Sequence, residues 1–395
     1  MAAAAGLIMV VGACDGGPPA PPPPPTPVDL SWQEITLPPP PPGERIVLRT
    51  ATVCDGRWYL AGAYGGPGDT TRPAAWTSTD GRTWTAMNVA ADSYYGVRSV
   101  IFTAACRDGR LAAIGGRPGG AHGNPRMSSY HLVTAPDGTE VLTEVAARFE
   151  LYGGPTATNV GRLSAGPKGF MIAGNRASGA AVWNSVDAST FEIVEGAPVL
   201  STTSDRATWA SDAAGGEDRW TLVGGILRAG HIDRDPAVWT SPDGLVWQEV
   251  AVPAESEYDE MTLVEPQGDD LVAVGQSGAT FRAWRYAGGQ WQGAGRFGST
   301  QGLSQGGRAG AVLATSLATT PGAVLAAVAD GSAYQMFLSR DGGLTWHPLT
   351  APMTTPAGTG TGLALAGVAD GGAQRVLLVA DDGASARAFL AELPR

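Results

Sequence analysis

The chain has 395 residues, a formal charge of −11 and a pI near 4.8, with 43% hydrophobic and 16% charged residues. Its 56 Gly and 30 Pro suit a chain that reverses direction many times rather than a helical one. Of 26 basic residues only Lys168 is lysine, and none form a basic block, which excludes nucleic acid as a partner because phosphate binding needs clustered positive charge.

The first element is an apolar run over residues 2–13, too short to span a bilayer but of the length of a signal-peptide core. It ends in Val11-Gly12-Ala13-Cys14, which resembles the bacterial lipobox. That resemblance implies diacylation of Cys14, cleavage before it and acylation of the freed amine. Each buried methylene then contributes about 0.8 kcal/mol to anchoring. No Lys or Arg precedes the run, a departure from the usual signal. Residues 14–28 carry the stretch DGGPPAPPPPPTP, read as an extended polyproline spacer after the lipidated Cys. A second proline stretch, Pro38–Pro42, is read as a connection inside the domain. The expected location is the outer face of the cytoplasmic membrane, and the expected state a monomer.

From residue 29 to 395 the sequence repeats about every fifty residues, seven times. A short apolar strand ends in Gly or a small residue at 62, 115, 174, 224, 275, 328 and 380. One aromatic follows each in the next strand: Trp76, Tyr130, Trp183, Trp239, Trp284, Phe337 and Phe389. A third register opens the last strand, with Trp84, Val141, Phe191, Trp247, Trp291 and Trp346. Its seventh member is absent from the C-terminus and appears at the other end as Trp32. An open β-solenoid offers no reason for a displaced strand. A seven-bladed β-propeller whose N-terminal strand closes the last blade does.

Between third and fourth strands the chain reads Ser78-Thr79-Asp80-Gly81-Arg82-Thr83-Trp84, then Ser241-Pro242-Asp243-Gly244-Leu245-Val246-Trp247, then Ser339-Arg340-Asp341-Gly342-Gly343-Leu344-Thr345-Trp346. Degenerate forms occur at Pro136-Asp137-Gly138 and Ser185-Val186-Asp187. These turns resemble the Asp-box (BNR) repeats of sialidase-like propellers, a group with enzymatic and non-enzymatic secreted members. Their Asp, Gly and Trp are read as folding residues at the periphery, so the resemblance does not by itself imply catalysis.

Cys54 and Cys106 fall at equivalent places in adjacent repeats, at the end of the first strand. In an exported domain that suggests a disulfide between the first two blades, with two buried reduced thiols as the other reading. No nucleophile elbow, phosphate loop or metal motif is present, and no cofactor is expected. His122, His131, His231 and His347 are scattered, and Asp233 and Asp235 beside His231 read as solvated loop charges.

One pattern remains. Arg45, Arg98, Arg162, Arg206 and Arg308 each precede or open a first strand, and Tyr94, Tyr95 and Tyr258 lie in loops on that same side, as does Tyr152. Several guanidiniums around one concavity would form a carboxylate- or phosphate-binding funnel; the alternative is ordinary Arg paired with nearby acids such as Asp205 or Glu44. The aromatic-Arg-Ile-Pro sequence of the sialidase family is absent, Gly43-Glu44-Arg45-Ile46-Val47 being the nearest match, so no catalytic residues carry over. The expected function is a lipid-anchored binding or scaffold module for a glycan or protein. A sialidase-type hydrolase and an envelope-complex assembly factor are the alternatives.

Overall fold

A computed structural model describes residues 25–119, 126–255, 257–300, 311–370 and 372–394. The expected lipidation site Cys14, Arg308 and His122 lie outside these residues.

The chain is a seven-bladed β-propeller. Blade 1 comprises Arg45–Cys54, Arg57–Gly65, Thr71–Ser78 and Thr85–Ala86, in that order from the axis outward. Blade 3 runs from Ala157–Gly166 to Glu192–Val194, blade 4 from Arg206–Gly215 to Gln248–Val250, blade 5 from Asp259–Gln267 to Gln290–Phe297 and blade 6 from Val312–Thr320 to His347–Leu349. Blade 7 takes Gly362–Asp370, Ala373–Asp381 and Ala386–Glu392 from the C-terminus and Gln33–Ile35 from the N-terminus. Its closing pair is antiparallel, with Glu34 opposite Phe389. The segment before it also crosses to blade 6: the Val28 amide donates to the Pro348 carbonyl at 2.7 Å, and the Trp32 indole to the Thr350 carbonyl at 3.0 Å. The ring therefore closes without an unpaired edge at the seam.

Blade 2 departs from the four-strand plan. Besides Val100–Arg107, Arg110–Arg117, Arg126–Thr134 and Glu140–Val145, it gains Asn88–Ala90, which pairs in parallel along its outer edge. The connection from blade 1 thus becomes part of the next sheet.

The core is distributed rather than central. Among the described residues the buried apolar side chains form seven clusters, one at each interface between neighbouring blades. The aromatics Trp76, Tyr130, Trp183, Trp239 and Trp284 are fully buried there, filling the gap that widens away from the axis.

Each inner strand of blades 1 to 6 has a register shift at the same height, opposite the residue that ends the apolar strand. The extra residue bends the strand toward the axis. It also explains the repeated glycine. A Cβ on Gly62, Gly224 or Gly275 would lie 1.9, 1.9 and 1.8 Å from the carbonyl oxygens of Val47, Trp209 and Glu260, so only glycine fits.

The turns at 78–84, 185–191, 241–247 and 339–346 share one bonding pattern. The Ser hydroxyl accepts the amide of Gly81, Ala188, Gly244 or Gly343 at 2.8–2.9 Å. The Asp carboxylate accepts amides further on, such as those of Arg82 and Thr83, both at 2.7 Å. In three of them the indole N–H donates to a Gly carbonyl at 3.0–3.1 Å. The turn at 185, degenerate in sequence, makes the same bonds with Ala188 at a φ of 66°.

Cys54 and Cys106 form a disulfide between the inner strands of blades 1 and 2, their Cα atoms 5.3 Å apart.

Candidate functional site

The inner strands all begin at one end of the ring, here termed the upper face; the Asp-containing turns lie at the other. The upper face carries the connections between blades, and with them most of the residues that the sequence nominates for binding.

Among the described residues, the structure does not gather the nominated arginines into one funnel. Arg45, at the start of its strand, sits 3.5 Å from the buried carboxylate of Asp381, which also holds Arg49. Arg98 donates to the Tyr94 carbonyl at 2.9 Å and stacks over the Tyr94 ring at 4.3 Å. Arg206 pairs with Glu249 and donates to the Val199 carbonyl at 2.9 Å. Arg162 differs in place as well as partner. Its strand starts at Ala157, not beside it, and a bulge between Val160 and Leu163 turns Arg162 into the central channel, where it donates to the Thr315 carbonyl. No two of these four line the same cavity among those found in the described residues.

The channel cavity has a volume of about 230 Å³ and is walled by small residues of the inner strands together with Arg49, Arg162, Asp212 and Glu265. Asp212 is buried and accepts the amides of Ala213 at 2.9 Å and Val264 at 3.1 Å. Burial nonetheless pushes its pKa up to about 6, against the pull of Arg162 and these hydrogen bonds. Glu265 is pushed up to about 8, first by burial, then by the charge of Asp212, with Arg162 opposing. Both acids are therefore biased toward the neutral form, Glu265 more strongly than Asp212. Neither acid was singled out from the sequence. Asp212 and Glu265 each follow a pair of apolar or small residues within an inner strand that also carries other polar side chains, so neither stood out.

Tyr258 lies beside the start of blade 5. Its hydroxyl donates to Glu260, and Arg234 holds both oxygens of Glu260, at 3.1 and 2.9 Å. Burial and the Glu260 charge push the phenol above its usual range. Asp235, read as a solvated charge, pairs instead with Arg228 at 3.2 Å. His131 faces Thr143 across blade 2, and His347 lies 3.4 Å from the Thr26 carbonyl. Among the described residues no three His, Cys, Asp or Glu side chains are grouped to hold a metal.

Tyr95 lines a larger cavity, of about 520 Å³, at the upper end of blade 2, between the connections that enter and leave that blade. Its other walls are the loop at 92–95, Arg126 and Met127, Glu144, and the short helix Phe149–Tyr152. Tyr94 stands next to it, 67% exposed, its ring edge-on to Tyr95 at 5.1 Å. The sequence suggested the tyrosines. Arg126, Glu144 and Phe149 come from separate strands and loops, and no spacing pattern links them.

No family model and no curated protein matches the chain. Solved structures do. An endosialidase of phage phi92 is 10% identical over 93% of this chain and 70% of its own, with a TM-score of 0.50. The β-propeller domain of the Trilobed protease from Pyrococcus furiosus is 10% identical over 88% of this chain and 98% of its own, with a TM-score of 0.49. The sialidase of Trypanosoma rangeli with bound sialic acid is 11% identical, covering 92% of this chain and 59% of its own, at 0.46. At such identity the likeness is one of fold.

Proposed function

We propose that the protein is an exported, lipid-anchored propeller that binds a glycan or protein partner through its upper face and carries out no catalysis. The observation that carries the reading is the fate of the arginines. Among the described residues, Arg45, Arg98 and Arg206 are held by Asp381, the Tyr94 carbonyl and ring, and Glu249 in turn, and Arg162 alone turns into the channel, so these four form no converging set for a substrate carboxylate. The axial cavity, at about 230 Å³, is also below the usual range for sites that enclose a small ligand, roughly 300–1,000 Å³. The anchor rests on the Val11-Gly12-Ala13-Cys14 resemblance and the proline-rich spacer behind it.

A hydrolase of sialidase type is favoured by one contact, the Tyr258–Glu260 hydrogen bond, since a phenol beside a carboxylate can act as a nucleophile. Against it, Arg234 holds both oxygens of Glu260 and the phenol is harder, not easier, to ionise.

The test is a glycan array together with a fluorogenic-glycoside screen on the mature protein. Glycan capture without turnover is expected. Turnover lost in both Tyr258→Phe and Arg162→Ala would replace the binding reading with the hydrolase. For the anchor, a palmitate analogue should label the wild type and not Cys14→Ala; equal labelling of both removes it.

A further inference from the structure

We infer that the lower face of the propeller, the one opposite the upper face, rests on a lipid surface, with the apolar tips of the Asp-containing turns of blades 3, 4 and 6 entering the membrane interface. The inference rests on the lipid-anchor reading above and adds to it an orientation and a contact.

The turns themselves supply the first observation. Among the described residues nine large apolar side chains are exposed, and four of them, Val186, Leu245, Val246 and Leu344, sit on these turns, at 73, 56, 64 and 53% exposure. The fold does not ask for them. At 245 and 246 the turn uses only the backbone amides, which donate to Asp243 at 2.8 and 3.0 Å. Blade 1 makes the same two bonds with Arg82 and Thr83 at those positions. The turns of blades 3 and 4 are neighbours, because the Asn184 side-chain amide donates to the Gly244 carbonyl at 2.8 Å. Val186, Leu245 and Val246 therefore share one stretch of rim, and Leu344 repeats the position of Leu245 on blade 6.

The second observation is where the chain enters. The described residues begin at 25, and Val28 pairs in parallel with Leu349 at the outer edge of blade 6. Its amide donates to the Pro348 carbonyl at 2.7 Å, and its carbonyl accepts the Thr350 amide at 2.9 Å. His347, which opens that strand directly after the turn, lies 3.4 Å from the Thr26 carbonyl. Parallel pairing therefore puts residue 25 at the lower face, beside the turn that carries Leu344. Residue 25 is eleven positions from Cys14, at most about 40 Å of fully extended chain. An acyl anchor at Cys14 then holds this face, rather than the opposite one, next to the bilayer. A short tether raises the effective concentration of the face at the surface, so a few aliphatic side chains are enough to hold it there. Exposed Lys168, Arg219 and Arg340 stand against Glu217, Asp218 and Asp269 on the same face, so neither sign of charge dominates and the contact is apolar. It also turns the upper face outward, toward a partner.

The experiment places the lipidated full chain on phosphatidylcholine vesicles, with an environment-sensitive fluorophore on Leu245→Cys, on Leu344→Cys or, at the upper face, on Ile232→Cys. Cys54 and Cys106 are bonded to each other, so the added thiol takes the label. All three positions are exposed, Ile232 at 93%, so folding is not at issue. Apolar groups at an interface lie about 5–10 Å deep, so a nitroxide on the shallow acyl carbons should quench the labels at 245 and 344 about twofold or more and leave that at 232 unchanged. The quenching should persist in high salt. Equal quenching at all three positions, its absence at 245 or at 344 on vesicles that retain the protein, or its loss in high salt overturns the contact and leaves the anchor standing. A blue shift at 245 without quenching by the lipid means that a second copy covers the turn, and overturns the contact as well. Wild type that floats with vesicles no better than Cys14→Ala removes the anchor and the contact with it.

Discussion

The channel acids give the sharpest quantitative test of the structure. Glu265 has its pKa raised from 4.5 to about 8, so the folded protein holds a proton there that the unfolded chain releases. Because the folded value lies above the unfolded one, the stability linked to this group is fully present below pH 4.5 and is lost as pH rises through 8. Asp212, raised from 3.8 to about 6, acts in the same direction over a lower window. At about 1.4 kcal/mol per unit, the Glu265 shift alone corresponds to on the order of 5 kcal/mol. Its carboxyl is partly exposed to the channel cavity, and screening there reduces the expected loss to about 2–3 kcal/mol. Glu265→Gln keeps the shape and removes the titration. Urea unfolding followed by tryptophan fluorescence at pH 5, 7 and 9 should show the wild type losing stability across the series, and the variant, which keeps only the Asp212 titration, levelling off above pH 7. The two should agree at pH 5, and the variant should be the more stable at pH 9. Parallel decline of both proteins between pH 7 and 9, or a variant weaker than wild type at pH 9, would refute the assignment of Glu265 as an acid held neutral in the channel.

Two further outcomes follow from the fold. Replacing both Cys54 and Cys106 by Ser opens a loop whose ends are 52 residues apart, a chain-entropy effect of about 4 kcal/mol; the urea midpoint should fall to that of the reduced wild type, and an unchanged midpoint would remove the disulfide from the stability of blades 1 and 2. Asp341→Ala deletes the acceptor for the Thr345 amide at 2.8 Å and for the hydroxyls of Ser339 and Thr345, which should cost about 1–2 kcal/mol at pH 7. Hydrogen bonds keep the Asp341 pKa below 3.8 in spite of its partial burial, so that contribution exists above pH 3.8 and fades as pH falls through the folded value. Variant and wild-type melting curves should therefore converge in acid; a gap that persists at pH 2 contradicts this.

The parts of the fold legible in the sequence are those imposed seven times. The small residue ending each apolar strand recurs because the inner strand bulges against it, and at Gly62, Gly224 and Gly275 a side chain would collide with a backbone carbonyl. Trp32 could be placed in the last blade because six other repeats showed what was missing there. The binding residues were less legible because nothing repeats them. A place at the start of a strand does not fix where a long side chain ends. Arg45 reaches Asp381, 336 positions away, and Arg206 reaches Glu249, neither of which a local pattern reveals. Arg162 was misplaced for a related reason. Its strand begins five residues earlier, and the bulge that aims it into the channel follows from pairing, not from spacing.

The same construction explains why a ligand site fits better between blades than on the axis. Seven inner strands surround the channel, and among the bulged positions of six of them Arg49 and Arg162 carry long side chains that line the central cavity. Space opens where the blades diverge and the connections are long. Blade 2 differs from the others there. It carries the added strand Asn88–Ala90, is tied to blade 1 through Cys106, and passes to blade 3 through the helix Phe149–Tyr152. The helix Phe149–Tyr152, which walls the cavity at the upper end of blade 2, is held by the buried Trp183, whose indole donates to the Leu151 carbonyl at 2.6 Å. A rigid wall costs a ligand little ordering on binding.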